Sequence, residues 1–126
     1  MSDLADVAEK FGSLVAVNLR HFEPGWIESV HFEFVNGSLQ VDVDINTDTI
    51  NWGLGSATKS PLPTPREWVD LLSGRVRWIW LLTNQRGFTD ALQMEIAVDD
   101  GFEYVQLLAE GSRLVPFRLK AFDSRK

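Results

Sequence analysis

The chain has 126 residues, of which 44% are apolar and 24% charged, with a net charge of −6 and no cysteine. Such a composition suits one globular domain spanning 1–126 and excludes disulfides, thiolate catalysis and sulfur-ligated metal sites. The acidic balance argues against nucleic acid or an anionic membrane as partner, because both select a basic face.

No stretch approaches the ~20 apolar residues of a membrane-spanning helix. The N-terminus is acidic and lacks a secretory apolar run, so the expected location is the cytoplasm.

Leu4, Val7, Ala8 and Phe11 recur at helical spacing, with Ser2 as N-cap and Gly12 as the stop. Leu14 to Arg20 reads as a first strand, followed by a turn at Pro24-Gly25. Val30, Phe32 and Phe34 then alternate with polar residues, as do Leu39, Val41, Val43 and Ile45 beyond Asn36-Gly37. A type I′ turn at Asn36-Gly37 would pair Phe34 with Leu39, Phe32 with Val41 and Val30 with Val43, all on one face. It would also set His31 opposite Asp42.

Residues 53–65 are rich in Gly, Ser, Thr and Pro and read as one long loop. Thr64-Pro65-Arg66-Glu67 has the form of a capping box opening a short helix with Trp68, Leu71 and Leu72 inward. Arg75 to Thr83 is a strand apolar on both sides through Trp78-Ile79-Trp80-Leu81-Leu82, the pattern of a central, covered strand. After a turn at Gly87, Leu92, Met94, Ile96 and Val98 alternate with polar residues. A turn at Asp100-Gly101 would pair Ile96 with Val105 and Met94 with Leu107. Arg113 to Phe122 is the last strand; Pro116 marks it as an edge or bulged strand, and 123–126 as a frayed tail.

The expected fold is α+β: a curved antiparallel sheet of about seven strands joined by hairpins, with two short helices on one face.

Few residues carry recognisable chemistry. Asp42, Asp44, Asn46 and Asp48 resemble the opening of a calcium loop, but Thr47 replaces its glycine and Gly53 its glutamate, so they read as an outward polar strand face. His21 and His31 have no ligand spacing, and neither a nucleophile elbow nor a phosphate loop is present. These patterns imply no metal, no cofactor and no catalytic residues.

The segment from Trp78 to Gln93 is richer than a hairpin requires. Trp78, Trp80, Asn84, Gln85, Arg86, Asp90 and Gln93 place aromatic walls beside amides, a guanidinium and a carboxylate, a reasonable polar binding site. The plainer reading is a self-satisfied loop in which Asp90 holds Arg86.

The run from Trp78 to Gln93 resembles the hallmark W-x-W-x-x-T-N-Q-x-G-[FY]-T-D-A-L-Q of a small bacterial family of domains of unknown function, with Phe88 where tyrosine is expected. The resemblance implies a bacterial, intracellular, stand-alone domain and supplies no activity.

The expected function is a non-enzymatic binding or interaction domain using the Asn84–Asp90 loop, of immunity or accessory type, acting on a protein partner or small ligand. The alternative is a small-molecule-binding or hydrolytic site built on Asp90, Arg86 and a histidine. A third possibility is a homodimer through an exposed sheet edge, against a monomer.

Overall fold

The computed structural model describes residues 3–57, 62–99 and 101–120. Eight antiparallel strands follow a one-turn helix: α1 Asp6–Glu9, β1 Leu14–Glu23, β2 Trp26–Phe34, β3 Gly37–Asp44, β4 Thr49–Gly55, a 3-10 helix Arg66–Leu71, β5 Arg75–Thr83, β6 Thr89–Val98, β7 Gly101–Glu110 and β8 Arg113–Lys120. The sheet order is β4-β3-β2-β8-β7-β6-β5, with β1 paired to β2. It curls into a half-barrel. β2 outruns β3 and meets β8 at Ile27↔Leu114, while Ser13 bridges Arg75, so the start of β1 touches the far edge of the sheet.

The curl follows from the alternation. Val30, Phe32, Phe34, Leu39, Val41 and Val43 form the inner face of one half; Leu92, Met94, Ile96, Val105 and Leu107 form that of the other. β4 packs across β6 and β7, closing the two halves on each other. Burying each such side chain contributes about 1.5–3 kcal/mol. α1 seats Val7 and the residues after it seat Phe11 in the same core, and α1 packs against β5. The 3-10 helix adds Leu71 and Trp68, the latter edge-on to Phe32 at 6.0 Å between ring centroids. Arg118 ties this helix down, donating to Glu67 O and Asp70 and pairing with Glu103; the Asp70 and Glu103 carboxylates push its pKa further up.

Both hairpins keep the expected faces in a different register. Phe32 pairs with Leu39, Val30 with Val41 and Phe34 with Gly37, so the turn is Val35-Asn36 and His31 lies opposite Gln40, not Asp42. A shift of two residues preserves which side each side chain occupies. Its cause is tertiary: the Val35 N–H donates to Ser13 O (3.0 Å) and the Asn36 N–H to Phe11 O (2.9 Å). Phe11 then lies against Gly37, where an added Cβ would come within 2.6 Å of the ring. In the second hairpin, Met94 pairs with Val105, Leu92 with Leu107 and Val98 with Gly101, again two residues from expectation.

Other expectations need correcting. The 53–65 loop is shorter than read, because Thr49–Gly55 is an eighth strand, paired from Thr49↔Asp44 to Gly55↔Ser38. Its two outward glycines and its polar residues hid it from pattern reading. The helix after Pro65 is 3-10, without a side-chain cap; the Thr64 hydroxyl instead accepts the Val17 N–H of β1 at 3.1 Å. β8 keeps one register with β7 through Pro116 and has no bulge, but it is the expected edge beyond Leu114. At the N-terminus, the Asp3 carboxylate accepts the Ala5 N–H at 2.8 Å. Ser2 and the 123–126 tail lie outside the described residues.

The largest correction concerns β5. It is the terminal strand of the sheet, not a central one, and Trp78, Trp80 and Leu81 are exposed.

Candidate functional site

The β5–β6 connection is organised by Asn84. Its Oδ1 accepts the Arg86 N–H (2.9 Å) and the Phe88 N–H (3.2 Å), and its Nδ2 donates to Asp90 Oδ2 (3.3 Å). Its backbone N–H donates to Phe88 O, and its carbonyl accepts from Gly87. Asparagine suits this position because one short side chain carries both an acceptor and a donor. Gly87, at φ +86, supplies the left-handed step. The Asn84 amide is thus consumed by the turn.

The expected Arg86–Asp90 pair does not form. The Asp90 carboxylate is engaged by Asn84, and the Arg86 and Gln85 side chains are exposed. The plainer reading is half right: the turn satisfies itself, but through the asparagine, and it leaves the guanidinium outside.

Trp78, Trp80 and Gln93 belong to a different surface, the outer face of the sheet. The registers set Trp80 beside Gln93, Gln106 and Phe117 in one row across four strands, and Trp78 beside Glu95, Tyr104 and Leu119 in the next. A register shift between Val76 and Trp78 inserts Arg77, whose guanidinium lies 4.7 Å from the Phe102 ring centroid and whose Nε is 3.9 Å from Glu95 Oε2. The Tyr104 hydroxyl donates to Glu95 Oε1 at 2.6 Å, a bond that raises the phenol pKa, with desolvation adding to it.

Five large apolar side chains are exposed together on this face: Trp78 is 56% exposed, Leu119 50%, Phe117 42%, Phe102 40% and Trp80 38%. Sequence reading missed Phe102, Phe117 and Leu119. The signal was present, since the apolar positions switch phase after Leu114 onto Val115, Phe117 and Leu119. That switch reflects outward apolar residues on an unbroken strand.

The remaining candidates are dispersed. Asp44 and Asp48 stabilise connections: Asp44 Oδ1 accepts the Asn46 N–H (3.0 Å), and Asp48 Oδ1 accepts the Ser112 N–H (2.6 Å). Asp42 accepts from Gln40. His21 pairs across the β1–β2 hairpin with Ile27, and His31 lines an open hollow of about 320 Å³ with Gln40, Asp42, Asn51 and the backbone of Gly53 and Gly55. Among the described residues, no group of three or more metal-ligating side chains is present. None of their helices is long and apolar enough to cross a membrane.

No curated protein and no solved structure matches the chain. A family model covers residues 2–123, the whole of the sheet and of the Trp78–Gln93 segment, and on that match the chain belongs to the family of unknown function DUF6334.

Proposed function

We propose that this chain is a non-enzymatic binding domain of a bacterial, intracellular protein. It engages a macromolecular partner with the Asn84–Asp90 turn and the tryptophans beside it, as an immunity-type or accessory protein would. The observation that carries this reading is the exposure of Trp78 and Trp80 on the strand that leads into the turn, together with an exposed Arg86 guanidinium that the turn does not use. Tryptophan and arginine dominate the energetics of protein interfaces, and solvent-exposed tryptophan has no role in holding a core. A turn fixed by Asn84 from within presents Arg86, and a paired strand presents the tryptophans, so neither carries a large ordering cost on binding.

The hydrolytic alternative needs a histidine within hydrogen-bond reach of Asp90. Asp90 is held by Asn84 at the start of β6, whereas His21 and His31 sit in the β1–β2 ladder opposite Ile27 and Asn18. These features favour binding over catalysis.

The test is co-purification from cells of the source organism with wild type, Trp78→Ala/Trp80→Ala and Arg86→Glu in parallel, each checked for an unchanged unfolding midpoint. A species recovered by wild type and lost by both variants supports the reading. Equal recovery by all three chains refutes it.

A further inference from the structure

We infer that the contact surface extends from the turn across the outer face of β5, β6, β7 and β8 as far as Phe117 and Leu119, and that it receives a protein surface apolar at its centre and acidic at its margin. This rests on the binding reading above and adds its extent and the chemistry of the partner.

The extent follows from registry. Strands lie about 4.8 Å apart, so the row Trp80–Gln93–Gln106–Phe117 spans roughly 14 Å with aromatic groups at both ends and two amides between. The next row runs Trp78–Glu95–Tyr104–Leu119, and the one beyond it Leu82–Ala91–Leu108–Val115. With a large aromatic side chain presenting some 150–250 Å² in full, the five exposed groups together offer on the order of 400 Å² of apolar surface. That is within the range of the largest patch on a monomer, and about half of one side of a standard interface.

The composition favours a protein partner. Tyrosine, tryptophan and arginine are the residue types that interfaces enrich, and central charge is what they deplete. Among the described residues, the three rows contain one carboxylate, Glu95, already engaged by Tyr104 and Arg77.

The margin sets the partner's charge. Arg75 and Arg77 flank the patch at one end of β5, and Arg86 flanks it at the other. Residues 71–89, which hold β5 and its turn, carry these three arginines and no carboxylate, a local reversal along this edge of a chain of net charge −6. It disfavours a second copy, since two such faces would bring arginine rims together and join two acidic bodies. An acidic rim on another protein would pair with these guanidinium groups.

The experiment selects random 12-residue peptides by display against the immobilised full-length chain. The strongest binder is then synthesised and titrated against wild type, Trp80→Ala, Arg86→Glu and Phe117→Ala, with light scattering on each. Expected are peptides carrying Asp or Glu around aromatic or aliphatic residues, a monomeric chain, and at least tenfold weaker binding for all three variants at an unchanged unfolding midpoint.

Loss of binding with Trp80→Ala and Arg86→Glu but not Phe117→Ala overturns the extended surface and leaves the turn reading standing. Binding indifferent to all three, or no enrichment, overturns both. Enrichment of basic or neutral peptides overturns the acidic margin. A dimer that Phe117→Glu dissociates would assign the face to a second copy and overturn the proposed partner.

Discussion

Gly37 distinguishes a turn requirement from a packing requirement. It follows an asparagine, and as half of a type I′ turn it would be kept for a positive φ. In the structure its φ is not in the left-handed region, and it is the first residue of β3, with the edge of the Phe11 ring 2.6 Å from where a Cβ would stand. Phe11 is itself buried and lies against Phe34 at 5.7 Å between centroids, so the ring has little room to retreat. Gly37→Ala should therefore destabilise by about 1–3 kcal/mol through overpacking, less any gain from replacing glycine within a strand.

Phe11→Ala alone should cost about 3–5 kcal/mol as a large-to-small core change. In that background the clash is gone, and Gly37→Ala should cost less than ~0.5 kcal/mol, leaving a coupling near the whole single-mutant penalty. Urea unfolding followed by tryptophan fluorescence gives all four corners of the cycle. An equal cost of Gly37→Ala in both backgrounds would refute the reasoning and return the residue to a backbone requirement.

The turn gives a second contrast: Asn84→Ala, which removes bonds to Arg86 N, Phe88 N and Asp90, should cost about 1–2 kcal/mol, and Arg86→Ala less than ~0.5 kcal/mol. The reverse ranking in urea melts would show a structural role for Arg86. Trp68→Ala should cost about 3–5 kcal/mol by opening the core beneath the 3-10 helix, and Trp78→Ala under ~1 kcal/mol because its ring is mostly in solvent; similar losses for the two would contradict the exposed face. Tyr104, the only tyrosine, should ionise above the usual phenol value of about 10 in a spectrophotometric titration, and Glu95→Gln should lower it. Because its pKa is raised on folding, the associated stability is complete below the unfolded value and is lost as pH rises through the folded one. A titration that Glu95→Gln leaves unmoved would remove that bond as the cause.

Local pattern determined seven of the eight strands, missing β4, and the apolar side of those that alternate. Alternation over Val30–Phe34, Leu39–Val43 and Leu92–Val98 assigns inner faces correctly, because side-chain direction has a period of two along any strand, whereas Ile45, read as inward, falls past the end of β3 and is exposed. Gly12, Gly25 and Gly87 end or turn their segments where φ must be positive. The binding candidates Trp78, Trp80, Asn84 and Arg86 were visible as a segment richer than a turn requires.

Tertiary structure decided the rest. A slip of two residues changes no face, so both hairpin registers were left to contacts from elsewhere in the chain. For the first, these are the Phe11 and Ser13 carbonyls and the Phe11 ring. A strand apolar on both sides reads the same whether it is covered or bare. Only the sheet order, which leaves β5 at the end and sets its tryptophans in rows with Phe117 and Leu119 from a strand some forty residues later, shows that the apolar outer side meets solvent. Cross-strand neighbours so far apart in sequence are joined by hydrogen-bond ladders and core packing, and no local pattern encodes that pairing.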